Sequence, residues 1–317
     1  MLFNIRHHLL LLALATLPFT TRAADLLLVV GAPGTEEYGR QFQEVAALWK
    51  AAAESSGTDI TLVDSSKENA ALEVLTQKLG AFAEPDDEPL WLVFVGHGTS
   101  DGRDSHFNLP GPDLSSSQLA KLLTVVKREL VIIDTTAASG AFIQALSQPG
   151  RTIVTATKGP DEVYFTRFGL HFARAIAGHI EADLDQDEQV SVLEAFLFAA
   201  NETRQFYEKE DRIATEHALL DDNADKQGTR SESFIGLKAK PLEGVKVPEG
   251  LRAAQLHLVL NSDESKLSPE TRATRDALEA KLRTLVDQKR TLPEADYYRQ
   301  LEALLREIAS LTQTSSG

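Results

Sequence analysis

The sequence predicts an α/β fold: a three-layer sandwich around a mainly parallel sheet, with a helical hairpin appended at the C-terminus. Two observations carry this reading. From residue 26 onward, short and almost wholly apolar runs alternate with amphipathic stretches, as strands joined by crossover helices do. The apolar runs lack polar alternation, so both faces of each strand are covered. A chain of 317 residues with 43% hydrophobic and 25% charged residues falls in the globular range, and its length suits one large core plus an appendage.

The strands, in order, are LLLVVGA from Leu26, DITLVD from Asp59, PLWLVFVG from Pro89, ELVIID from Glu129 and RTIVTAT from Arg151. Between them lie three apolar helix faces: Phe42, Ala46, Leu48 and Trp49; Leu72, Leu75 and Leu79; Leu119, Leu122 and Leu123. Right-handed crossovers place such helices on both sides of the sheet. A helical stretch from about Phe165 to Gly178 leads to an acidic loop and then a long helix to about Arg212. Residues 213–250 are polar and read as a long loop with at most one short strand, at SFIGL; residues 252–260 supply another edge strand.

The C-terminal part, residues 262–317, changes character. Ser268 followed by Pro269 forms an N-cap with proline at the first helical position, opening a helix with Leu278, Leu282 and Leu285 on one side. A break near Pro293 precedes a second helix, whose Tyr297, Leu301, Leu304, Ile308 and Leu311 are spaced 4, 3, 4, 3. That seam suits a hairpin closing on itself or on the core; oligomerisation through these helices is the alternative.

Charge and composition exclude several classes. With 47 acidic against 32 basic side chains the chain carries −15, so nucleic acid is not expected as a partner. No cysteine is present, which excludes disulfides, thiolate metal sites, a lipid-modified cysteine and a cysteine nucleophile. At the N-terminus Arg6, His7 and His8 precede LLLLALATLPF and TTRAA. Residues 1–23 read as a secretory signal cut after Ala23 or Ala24. The run is too short to span about 30 Å of hydrocarbon, so no stable membrane anchor is expected. The mature chain, with its α/β domain at 24–261, is expected to be exported to a periplasm or the extracellular space. Loss of Arg6 and Arg22 makes it more acidic still.

Ligands of parallel sheets bind beyond the carboxyl ends of the strands. The residues there are GAPG (31–34), DSS (64–66), GHGTSDG (96–102), DTTAASG (134–140) and ATKGPDE (156–162). Small and polar residues after a strand are also ordinary turn chemistry; His97 and the ASG turn on adjacent loops make the stronger combined case.

LVFVGHG followed some 35 residues later by LVIIDTTAASG resembles the caspase and legumain superfamily of cysteine peptidases, legumain-like members most of all. Their α/β fold has a His-Gly turn after one strand and a Cys-containing turn, roughly C-x-S-G, after the next. The resemblance covers about residues 26–225, and RTIVTATKGPDEVYF is similar to the following strand and its pocket-forming stretch. It implies that His97 is the family's histidine, that Gly98 supplies an oxyanion donor, and that Ser139 and Gly140 align with S-G. Ala137 then occupies the cysteine position. The mechanism needs a nucleophile, a histidine to manage the proton and backbone donors for the oxyanion, and alanine offers no nucleophilic atom. In legumain-like enzymes an arginine in the loop after the first strand helps to select Asn or Asp. Here GAPGTEEYGR places Glu36 and Glu37 first and Arg40 later, so pocket specificity does not carry over. Glu162, Tyr164 and Arg167 are candidate wall residues.

Three readings follow. The favoured one is a pseudoenzyme that binds a peptide or protein partner at the strand-end cleft. The second is an active hydrolase in which Ser139, Thr136 or Thr135 is activated by His97, with Asp134 or Asp101 as orienter. The third leaves His97 as a hydrogen-bonded turn residue.

DLDQDEQVSVLE has calcium-ligand spacing. Asp183, Asp185 and Asp187 stand at positions 1, 3 and 5 of an EF-hand register, the Gln189 carbonyl at 7, Ser191 at 9 and Glu194 at 12. Glu188 replaces the usual glycine at position 6. Calcium is therefore expected to hold this loop, although carboxylates also favour the start of the helix that follows. DDNAD at 221–225 lacks a distal glutamate and reads as a turn.

Overall fold

The computed structural model describes residues 24–65, 70–240 and 247–313, with side chains to 311. The expected signal at 1–23 and Ser66 of the DSS loop lie outside these residues. All five apolar runs are strands: β1 (Asp25–Val30), β2 (Asp59–Asp64), β3 (Leu90–Val95), then, after a small meander of β4 (Gly98–Ser100), β5 (Ser105–Phe107) and β6 (Leu114–Ser115), β7 (Leu130–Asp134) and β8 (Arg151–Thr155). They pair in parallel in the order β2-β1-β3-β7-β8.

Alternate side chains of each strand serve the two outer layers. Leu26, Leu28, Val93, Val131 and Ile133 pack with helices α1 (Glu36–Ser56), α5 (Phe168–Ile176) and α6 (Val192–Lys209), through Trp49, Phe172 and Phe196. Leu27, Val29, Leu92, Phe94 and Ile132 pack on the other face with α2 (Ala71–Gly80), α3 (Ser116–Leu122) and α4 (Ala141–Leu146), through Leu75, Leu119 and Phe142. Each such side chain, removed from water, contributes about 1.5–3 kcal/mol. The observed architecture is thus the three-layer α/β sandwich, with β3 and β7 central and adjacent.

Caps fix the helix ends. The Thr35 hydroxyl accepts from Tyr38 N at the start of α1, and Gly57 ends it in the left-handed conformation at φ 68°. Ser191 and Glu194 form a reciprocal capping box at the start of α6.

Two expectations need correction. Residues 213–250 are not a loop with one strand at most. Beyond the SFIGL strand they contain β9 (Leu219–Asp221), which continues the main sheet antiparallel to β8, and β10 (Thr229–Arg230), antiparallel to β9 at the edge, while β11 (Phe234–Ile235) pairs with β12 (Lys238–Ala239). Residues 252–260 form no strand; a single bridge joins His257 to Ser191, because this segment's carbonyls at Ala253 and Leu256 accept from the first turn of α6 instead.

The C-terminal hairpin is present as α7 (Pro269–Asp287), capped by Ser268, and α8 (Glu294–Gln313), packed on one another with Leu278, Leu285 and Tyr297 buried. Arg252 ties α7 to the domain, reaching Glu129 at 2.7 Å and Asp276 at 2.7 Å; Arg272 pairs with Glu88. The α8 seam residues Leu301, Leu304 and Ile308 are half-buried. No helix among the described residues is long and apolar enough to cross a membrane.

Candidate functional site

Because β3 and β7 are neighbours in the sheet, the turns that follow them meet. His97 leaves the end of β3, Gly98 opens β4, and Thr136–Gly140 follow β7. The contact is close: a methyl added at Gly98 would overlap the Ala137 carbonyl oxygen and lie 2.7 Å from Thr136 Oγ1. Glycine is required there by space. The structure therefore sets Gly98, the residue after His97, against Ala137.

His97 is half-buried and enclosed by aromatic rings. Tyr38 meets it edge-on at 4.6 Å between centroids, Phe42 at 5.1 Å and Phe165 at 6.1 Å. Its Nε2 lies 3.2 Å from the Pro33 carbonyl; a carbonyl only accepts, so Nε2 carries the proton. Burial holds the imidazole below its usual pKa, opposed by the Pro33 bond. The ring is thus a neutral imidazole near pH 7 with Nδ1 as its basic nitrogen. No hydroxyl among the described residues bonds to that nitrogen.

The neighbouring hydroxyls are engaged elsewhere. Thr135 Oγ1 donates to the Phe94 carbonyl at 2.7 Å, and Thr136 Oγ1 to Asp134 Oδ1 at 2.7 Å. Ser139 is fully buried; its oxygen accepts from Ala156 N and Thr157 N at 3.1 and 3.2 Å and pairs with Thr157 Oγ1 at 3.1 Å. It fastens the Ala137 turn to the end of β8. Ala138 at φ 55° turns the chain, and its N–H donates to the Glu162 carbonyl. Ala137 itself is 6% exposed.

Neither proposed orienter bonds to His97. Asp134 is buried beneath the turn and pushed up to about 6 by desolvation, with the Thr136 bonds opposing. Asp101 caps the β4–β5 turn by accepting from Arg103 N and Asp104 N. The candidate walls divide similarly. Glu162 is buried, held by His217 and Lys158, whereas Tyr164 is 66% exposed. Arg167 stacks over Phe206 at 3.8 Å, and Arg40 faces solvent.

Beside the aromatic rings that enclose the histidine lie two cavities that share Gln41, Phe165 and Arg167. One, of about 350 Å³, is lined by Phe42, Val45, Phe165, Leu170 and Phe206. The other, of about 570 Å³, is lined by Tyr38, Tyr164, Arg167, Tyr207 and Arg212. Neither Arg167 nor Arg212 forms an ion pair among the described residues. Tyr164 and Arg167 line the second cavity, as their place among the candidate wall residues anticipates, whereas the aromatic enclosure and Arg212 escaped the sequence reading. Phe42 was visible only as a core position of α1, and Phe165 only as a helix start. Their convergence on His97 depends on how α1 and the chain before α5 pack.

In the acidic loop, Asp183, Asp185 and Asp187 each bring a carboxylate oxygen within 4.8 Å of the others. Glu188 adopts φ 69° and Gln186 φ 62°, the left-handed turn that glycine would take more easily. Asp185 is pushed up to about 6 by burial and by Glu194, Asp187 and Asp183. Glu194 stands apart. Its Oε1 accepts from Leu184 N at 2.8 Å, and its Oε2 from Ser191 N and Oγ at 2.8 Å each. Gln189 bonds to Asp187.

Fold and site together define a three-layer α/β protein whose strand-end rim sets a histidine turn against a turn of small residues. No family model matches the chain, and no curated protein matches it. Among solved structures it is similar to protein GSU0716 from Geobacter sulfurreducens (12% identity, TM-score 0.43, covering 63% of this chain and 92% of that one). It is also similar to the Drosophila initiator caspase Dronc (12%, 0.42, 65% and 81%) and to caspase-1 from Spodoptera frugiperda (11%, 0.38, 58% and 77%). These are similarities of fold.

Proposed function

We propose that this chain is an exported, legumain- and caspase-like peptidase scaffold without a nucleophile, which binds a peptide or protein segment at the rim beside His97. One observation carries the reading: a methyl group, Ala137, stands against the His97–Gly98 turn where the resemblance calls for cysteine. Supporting it, the Thr135, Thr136 and Ser139 hydroxyls are spent in holding backbone or neighbouring side chains. General-base activation requires a hydroxyl within bonding reach of the imidazole, and none is so placed among the described residues.

The lining suggests the ligand's chemistry. Tyr38, Phe42, Phe165 and Phe206 suit an apolar side chain, and Arg167 and Arg212 suit a neighbouring carboxylate. Calcium at Asp183, Asp185 and Asp187 is part of the same proposal, supported by their convergence.

A peptide-library cleavage assay tests the central point, with the wild type, Ala137→Cys, and Ala137→Cys combined with His97→Ala. The expected result is silence from the wild type, cleavage by the cysteine variant, and loss of that cleavage without His97. Wild-type cleavage abolished by His97→Ala overturns the proposal in favour of a hydroxyl hydrolase.

A further inference from the structure

The turn at 221–225 has a distal glutamate after all, brought from another part of the chain. Asp221, Asp225 and Glu249 each place a carboxylate oxygen within 4.8 Å of the other two. Asp222 adjoins them: its oxygens accept from Gly250 N at 2.9 Å and Ala253 N at 2.8 Å, while its own N–H donates to Glu249 Oε2 at 2.7 Å. Four acids from two segments are thus gathered at the end of β9.

The arrangement is not closed by hydrogen bonds. Asp221 and Glu249 are only 1% and 4% exposed. Asp221 Oδ1 accepts from Ala224 N at 3.1 Å, and the Ser147 and Asp222 side chains lie against Asp221 and Glu249, but among the described residues neither Asp221 Oδ2 nor Glu249 Oε1 has a donor. Among the described residues no lysine, arginine or histidine pairs with any of the four acids. A buried carboxylate oxygen without donor or counter-charge is costly. A cation between the two segments removes that cost at both atoms.

We infer that Asp221, Asp225 and Glu249 form a calcium site that fastens β9 to the 247–253 segment. Oxygen donors alone, some of them carboxylates, suit a hard cation, and six to eight ligands at flexible angles suit calcium better than magnesium. Further oxygens are at hand. Asn223 stands between the two aspartates, and Ser147 sits beside Asp221, its hydroxyl accepting from Lys226 N. The backbone repeats that of the 183–194 loop: Ala224 at φ 65° and Lys226 at φ 66° match Gln186 and Glu188, at the fourth and sixth positions counted from Asp221 and Asp183. Of the two loops, only the 221–225 one, with Glu249, leaves buried carboxylate oxygens unpartnered among the described residues.

The site's role is structural. β9 runs antiparallel to β8, from Leu219 beside Thr155 to Asp221 beside Ile153, so the loop that follows lies toward the opposite end of the sheet from His97. Ala253, whose N–H binds Asp222, accepts from Leu193 N at the first turn of α6. A cation here links the sheet edge to that helix.

The test is calorimetric titration of the chelator-treated full chain with calcium chloride, together with thermal unfolding with and without calcium. Variants are Glu249→Gln, Asp225→Asn and, as a control in the other loop, Asp187→Asn. The expected result is that the tightest calcium-binding event is weakened at least tenfold by Glu249→Gln and by Asp225→Asn but retained in Asp187→Asn. Calcium should raise the unfolding temperature of the wild type and not that of Glu249→Gln. Asp225 is exposed, so its amide variant keeps the test open should Glu249→Gln fold poorly. Wild-type protein that takes up no calcium at millimolar concentration, uptake unchanged in both site variants, or equal affinity for magnesium overturns the inference. Loss of uptake confined to Asp187→Asn assigns the ion to the 183–194 loop and also overturns it.

Discussion

Asp134→Asn should make the protein less sensitive to pH. Asp134 is the last residue of β7 and 1% exposed; Thr136 N and Oγ1 donate to its Oδ1 at 3.1 and 2.7 Å, and its Oδ2 has no partner among the described residues. Desolvation pushes its carboxyl from 3.8 up to about 6, with the two Thr136 bonds opposing. The folded form therefore binds this proton more tightly than the unfolded chain does. Below about pH 4 the group is protonated in both states and there is no penalty. As pH rises from 3.8 to 6 only the unfolded chain releases the proton readily, so stability falls, and above 6 the penalty is complete. At 1.36 kcal/mol for each tenfold difference in proton affinity, the penalty is about 3 kcal/mol, as an upper bound. Asparagine cannot titrate. Urea unfolding of both proteins from pH 4 to 7.5 should show the variant gaining about 2–3 kcal/mol relative to wild type across that interval, whatever fixed offset the amide introduces. A relative stability that does not change with pH would refute the reasoning, since Asp134 would then be charged or neutral equally in both states.

Two further outcomes concern the same rim. Gly98→Ala should destabilise the fold by about 1–3 kcal/mol in urea unfolding, because its methyl overlaps the Ala137 carbonyl; an unchanged midpoint would mean that the two turns are not in contact. Ser139→Ala should cost about 1–3 kcal/mol, as Ala156 N and Thr157 N lose an acceptor. Combined with Ala137→Cys, it should leave the gained cleavage per folded molecule within about twofold, whereas a catalytic hydroxyl would be missed at once.

What the sequence disclosed follows from where the free energy lies. Strands buried on both faces must be continuously apolar, so β1, β3, β7 and β8 are legible within two residues at either end. β9 is not, for only Leu219 and Leu220 precede Asp221; its extended backbone comes from pairing with β8, a tertiary effect. The 252–260 segment misleads in the reverse sense. Its alternation does mark buried positions, Leu256 and Leu258 at 3% exposure each, yet alternation reports which side chains turn inward and not where backbone groups bond. The meeting of Gly98 with Ala137 was legible because the neighbouring strands β3 and β7 place their turns together. The aromatic enclosure was not, since Tyr38, Phe42 and Phe165 converge only through helix packing.

The two acidic loops show the same limit at a finer scale. Spacing singled out 183–194, where aspartates alternate and a glutamate stands at the twelfth position. That glutamate has a second reason to be there: three residues after Ser191, it completes a capping box, and all its oxygens are bonded. Helix capping therefore explains its position without a cation. At 221–225 the spacing looks incomplete because Glu249 lies beyond any local window, although in space it closes the group. Ligand spacing along a chain measures only what one loop can supply; the demand for a cation is set by buried oxygens that no donor reaches. On that criterion the loop at the sheet edge has the stronger need, and calcium should bind there before it binds at Asp183.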